Sequence, residues 1–124
     1  MNSEAARGAR TAPGGFSVRT EDLGAATVLS VSGEVDMATA PDLEESIKDA
    51  LERGSEVLVV DLSGVSFLAS AGMSVLIGGN QLAGERTDFR LVATGSATLR
   101  PMELTGIADT FSIHATRDQA LSGG

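Results

Sequence analysis

The sequence predicts an α/β domain built on a mixed sheet, and three observations predict it. Residues 57–62, VLVVDL, and 89–93, FRLVA, are short and nearly continuous aliphatic runs, the pattern of strands covered on both faces. Between them residues 71–83 read as a helix, and strand, helix, strand at this spacing forms a crossover unit with a parallel pair. Residues 16–20 and 27–31 alternate in character on either side of EDLGA, which makes them two strands of an antiparallel hairpin. Parallel and antiparallel pairs together make the sheet mixed.

The remaining elements follow in order. After SGEVDMA a helix is expected to start with Thr39 as N-cap, Pro41 in the first turn and Asp42 completing a capping box. Leu43, Ile47, Ala50 and Leu51 line its apolar face, and Gly54 ends it. Its other face carries Asp42, Glu45, Asp49 and Glu52, with Glu44 to Lys48 and Asp49 to Arg53 at i, i+4; this is a solvated face with no assigned chemistry. The middle helix is apolar nearly all round and contains Gly72, Gly78 and Gly79. Such a helix is either buried between sheet and neighbouring helices or presents part of itself to a partner. A helical turn near residues 98–104, a strand at 111–114 and a last helix at 117–121 complete the domain.

The chain has 124 residues, enough for one domain with a single core. Residues 1–14 read as a flexible tail of small and charged residues without a hydrophobic segment, and residues 15–122 as the domain. No apolar run approaches the ~18 residues of a membrane span, so no membrane insertion is expected. With no cysteine, thiol chemistry and thiolate metal sites are excluded. A net charge of −8 repels a phosphate backbone, and without Trp or Tyr there is no stacking platform, so nucleic acid is not an expected partner. No cofactor is expected, because phosphate-cradling and metal-binding motifs are absent. The lone histidine, His114, has no GxSxG serine to serve, since Ser70 sits in LASAG. Asp61 reads as the anchor of the Ser63-Gly64 turn.

Ser70 is the position of interest. It follows the most apolar strand and stands where the next helix begins, a plausible N-cap, with Ala71 and Gly72 leaving the first amides open. It is either a capping serine only or a modification site. A phosphate there would meet unpaired N–H donors and the positive end of the helix dipole, while the surface gained ~1.5–2 negative charges. The fold would tolerate what an interface would not.

Three stretches carry a resemblance over about residues 16–121: VLSVSGEVDMATAPDLEESI, VLVVDLSGVSFLASAGMSVLI and FRLVATGSATLRPMELTGIADTFSI, followed by RDQAL. In order and spacing they resemble the STAS-domain family of bacterial anti-sigma factor antagonists, in its small stand-alone soluble branch. The resemblance implies a four- or five-stranded mixed sheet with helices packed on one side. Asp61-Leu62-Ser63-Gly64-Val65-Ser66-Phe67-Leu68-Ala69-Ser70-Ala71-Gly72 resembles the family's phosphorylation motif, which puts Ser70 at the phosphoacceptor position. Gly33-Glu34-Val35-Asp36 resembles the motif whose aspartate meets the partner, so Asp36, with Ala69, Ala71, Gly72 and Met73, is expected to form the partner-binding surface. The family implies a cytoplasmic regulatory protein, not an enzyme, a monomer or weak dimer. The resemblance implies that it binds an anti-sigma factor of the serine-kinase type, frees the sigma factor, is switched off by phosphorylation and is reset by a phosphatase. The alternative within the family is a phosphorylation-independent subunit of a larger assembly, such as a lipid-transport ATPase complex or a stress-sensing particle. One departure stands out: Ala69 occupies the position where the family usually has Asp, which removes a carboxylate beside Ser70.

Overall fold

The computed structural model describes residues 7–11 and 15–123. Six strands lie in one sheet in the same order as along the chain. The strands β1 (Arg7–Thr11), β2 (Ser17–Asp22) and β3 (Ala26–Val35) pair antiparallel; β4 (Val57–Leu68), β5 (Asp88–Val92) and β6 (Ser112–His114) extend the sheet parallel to β3. The helices are α1 (Ala40–Glu52), α2 (Ser70–Ala83), α3 (Leu99–Leu104) and α4 (Arg117–Ser122), with a 3-10 turn at Ala108–Thr110. The mixed α/β sheet expected from the sequence is therefore the observed architecture.

Both faces of the central strand are covered, as the unbroken run at its start requires. Leu58, Val60 and Leu62 face the main core with Leu43 and Ile47 of α1, Leu76 of α2 and Met102 of α3. Val59 faces the other way, packing with Val28, Val92 and Ala120 of α4. Fully burying one such aliphatic side chain is worth about 1.5–3 kcal/mol, so these rows dominate the stability of the sheet. The middle helix buries one face, through Gly72, Met73, Leu76, Gly79 and Ala83, while Val75 and Ile77 are half-buried and Leu82 is 56% exposed. Packing on the sheet thus accounts for one face of this helix and leaves part of its apolar surface open.

Two features differ from expectation. The expected tail contributes a sixth strand: Arg7–Thr11 pairs with β2 in the register Arg7↔Glu21 to Thr11↔Ser17. Backbone pairing needs no side-chain pattern, only an open strand edge, which is why composition did not reveal it. The rest of residues 1–14 lies outside the described residues. The last helix packs on the face opposite α1–α3. There the nearly buried Arg90 donates to the Ala120 carbonyl at 2.6 Å and to Asp88 Oδ2 at 2.7 Å. Arg117 pairs with Glu21 on β2 from the other end of α4.

Strand β4 is longer than its apolar run. It continues to Leu68 by opposing β3 with two extra residues, one between the pairs Ser30↔Asp61 and Ser32↔Gly64, one between Gly33↔Val65 and Glu34↔Phe67. After the first bulge the buried residues fall every third position, at Leu62, Val65 and Leu68. Two glycines make these bulges possible. Gly33 has φ +92°, and a Cβ there would stand 2.8 Å from the Gly15 carbonyl oxygen; a Cβ on Gly64 would stand 2.9 Å from that of Ser32.

Candidate functional site

The site lies at the C-terminal end of β3 and β4. Their last residues, Val35 and Leu68, are paired, and the Ala69 N–H donates to the Val35 carbonyl at 2.9 Å. Asp36 and Ala69 consequently leave the sheet side by side, and the structure brings the two sequence motifs together.

Asp36 is engaged by its own turn. Its Oδ1 accepts from the amides of Ala38 and Thr39, both at 3.0 Å, while Thr39 Oγ1 accepts from the Asp36 amide at 2.9 Å and donates to the Glu34 carbonyl at 2.9 Å. The capping box expected between Thr39 and Asp42 is thus replaced by one formed between Asp36 and Thr39. Thr39 already has helical dihedrals, φ −99° and ψ −17°, and gives α1 no side-chain cap. The reason is that Ala40 N–H bonds back to the Asp36 carbonyl at 2.8 Å, so the helical path starts one turn earlier than the apolar stripe suggests. Removing the carboxylate by Asp36→Ala is expected to lower stability by about 1–2 kcal/mol, with Asp36→Asn retaining most of it, as read by denaturant unfolding.

Ser70 is the first residue of α2, and Ala69, not Ser70, is the N-cap. The β4 chain stays extended through Ala69 (φ −84°, ψ 170°) because its N–H is held by Val35, so helical dihedrals begin only at Ser70. The Ala69 carbonyl accepts from Gly72 and Met73 at 3.0 and 3.1 Å, but no side chain caps this helix. Ser70 is exposed, and neither its hydroxyl nor its amide has a partner among the described residues. An Asp at position 69 would place a carboxylate where N-capping oxygens sit. We expect Ala69→Asp to stabilise the protein by about 1 kcal/mol, a rise of about 3–5 °C in Tm for a chain of this size.

Gly72 and Met73, expected on the partner-binding surface, are buried. A Cβ on Gly72 would stand 2.5 Å from Val35 Cγ1 and 2.8 Å from Leu68 Cδ1, so this glycine exists to let α2 press against the strand ends. Met73 is 9% exposed and receives the Thr105 hydroxyl at 3.7 Å on its sulfur. The accessible part of the expected surface is half-buried Asp36, Ala69 and Ala71 around the exposed Ser70. Two neighbours were not singled out from the sequence: Met37, beside Asp36, is 81% exposed, and Leu104, beside Thr105, is 71% exposed. A lone apolar residue in a loop, or at the end of a six-residue helix, belongs to no readable stripe.

All crossovers from β3 through β6 proceed in one direction across the sheet, so the strand order has no reversal point at which α/β sheets form a ligand crevice. His114 Nε2 lies 3.1 Å from Ser112 Oγ, so its ring is engaged on its own strand. Asp61 Oδ1 accepts from the Ser63 amide and hydroxyl at 2.9 and 2.6 Å, the turn anchor expected of it. Among the described residues no group of His, Asp and Glu could hold a metal ion, and no helix is long and apolar enough to cross a membrane.

This fold, with a motif serine at the start of α2, defines a STAS domain: the family matches residues 17–120, and the chain belongs to it. Within it the chain resembles anti-sigma factor antagonists. The anti-sigma-F factor antagonist RsfB of Mycobacterium tuberculosis is 39% identical over 113 residues, covering 91% of this chain and 93% of RsfB. The anti-sigma-B factor antagonist of Listeria monocytogenes is 31% identical over 84 residues, covering 67% of this chain and 74% of its own. A crystal structure of an anti-sigma factor antagonist from Mycobacterium paratuberculosis superimposes with a TM-score of 0.84 at 42% identity, covering 91% of this chain and 97% of its own.

Proposed function

We propose that this protein is an anti-sigma factor antagonist whose binding surface is the β3–β4 strand end and whose switch is Ser70. Unphosphorylated, it binds a cytoplasmic anti-sigma factor of the serine-kinase type and frees the sigma factor. The kinase transfers a phosphoryl group to the Ser70 hydroxyl, and a phosphatase removes it. The observation that carries this reading is the exposed, unpartnered Ser70 hydroxyl on the first turn of a helix whose mount is fully packed. The names of the relatives support it. The protein acts as substrate and ligand, not as an enzyme, in the cytoplasm.

The second reading, a subunit that binds its partner regardless of Ser70, is favoured by Ala69 standing where the family usually has Asp. One experiment separates them. The protein is used to pull down its partner from the native cytoplasm, and the captured protein is incubated with it and ATP. A captured ATPase of the histidine-kinase-like type and a single added phosphate on Ser70 by mass spectrometry are expected. A transporter ATPase in its place, or phosphate only on Ser63, Ser66 or Ser74, overturns the Ser70 switch.

A further inference from the structure

The geometry points to Met37 and Leu104 as the two apolar anchors that hold the anti-sigma factor on either side of Ser70; the inference rests on the function proposed above. Among the described residues five large apolar side chains are exposed, Leu23, Met37, Phe67, Leu82 and Leu104, and the two most exposed, Met37 and Leu104, both stand beside this site. Met37 follows the Asp36 turn at the end of β3, with 81% of its surface exposed. Leu104 closes α3, 71% exposed, and its neighbour Thr105 touches Met73 in the first turns of α2. The two therefore flank the start of α2 from the β3 side and the β5 side.

The charges around them state what the partner surface must be. Exposed Glu34 and Glu103 and half-buried Asp36 stand against one exposed cation, Arg100, and Asp36 Oδ2 makes no bond among the described residues. The fitting occupant is a protein face with two apolar recesses and a basic rim, the recesses straddling the point that receives Ser70. This placement also explains why a phosphate would act so strongly. A dianion on Ser70 would be enclosed between two apolar contacts, where leaving water is most costly.

The groove between α1 and α2 is the rival surface. It has a volume of about 520 Å³ and is lined by Ile47, Val75, Gly78 and Leu82 among others, but not by Ser70. Ser74 lines it one helical turn from Ser70, so a partner docked there would meet a phosphate on Ser70 at the groove's edge and not at its centre.

The test is calorimetric titration with the anti-sigma factor captured as described above. Met37→Asp and Leu104→Asp should each weaken binding about tenfold or more, and together about a hundredfold, while Met37→Leu and Leu104→Met stay within about twofold. Because both side chains are exposed, melting temperatures should be unchanged; Met37→Gln and Leu104→Gln serve as uncharged replicas if either Asp variant unfolds. Full-strength binding by both Asp variants, or by both Gln variants, together with loss of binding in Ser70→Glu, would overturn the anchors and leave the proposed function standing. Weakening by Leu82→Asp in place of Met37→Asp would move docking to the groove and overturn them as well. Unchanged binding by Ser70→Glu would overturn the switch reading itself.

Discussion

Ser70→Glu is expected to weaken binding to the anti-sigma factor about tenfold or more, a loss of about 1.4 kcal/mol per decade, while Ser70→Ala binds like the original. Ser70 is exposed and its hydroxyl bonds to nothing among the described residues, so removing it leaves no orphaned group behind. A carboxylate at the first helical position faces amides that no side chain caps and the positive end of the α2 dipole, so the fold gains slightly from it. Melting temperature should hold or rise while affinity falls, and only a surface effect gives that combination. A parallel drop in Tm and affinity would mean that position 70 is structural. Retained affinity in both variants would support the phosphorylation-independent reading.

Gly72→Val is expected to lower stability by about 3 kcal/mol or more, lowering Tm by about 10 °C. The missing Cβ of Gly72 is space already taken by Val35 and Leu68, at 2.5 and 2.8 Å, and both belong to buried strand ends with nowhere to move. Overpacking of this kind costs about 1–3 kcal/mol for a single added group, and valine adds three. Gly78, six residues later on the same helix, should behave in the opposite sense. Nothing lies within 4 Å of its Cβ position, so Gly78→Ala should recover about 1 kcal/mol of helix propensity. Thermal unfolding of the two variants checks both signs. Equal effects would mean that α2 is free to shift on the sheet.

The run at 57–62 was legible because both sides of a central strand are covered, and the structure puts α1–α3 on one side and α4 on the other. Its continuation to Leu68 was not, because two bulges change the burial period from two to three, and an alternation test discards such a segment. Residues 33–36 and 61–72 were visible as motifs, but the roles within them were not. Which residue caps a helix depends on where the preceding strand stops being extended. For α2 that is set by the bond from the Ala69 amide to Val35, 34 positions away in the chain. Gly72 reads as an opening when only its lack of a side chain is considered, and as a close contact once β3 is in place. Strand β1 was missed because its partner is backbone, and the packing side of α4 because Arg90 lies on a strand far from it in sequence.

The double bulge in β4 has a consequence for how a signal passes through this protein. A strand pair that must keep two glycine-dependent irregularities in register has one arrangement, not two of similar energy, and Ser70 is mounted directly on its end. On so constrained a mount the proposed switch needs no second conformer: the mark would act at the surface itself, with no internal equilibrium to shift. Under the function proposed above, each molecule would be either marked at Ser70 or unmarked, and the free sigma factor would follow the unmarked fraction through ordinary mass action. On that proposal, steepness in the response would have to come from the enzymes that write and erase the mark.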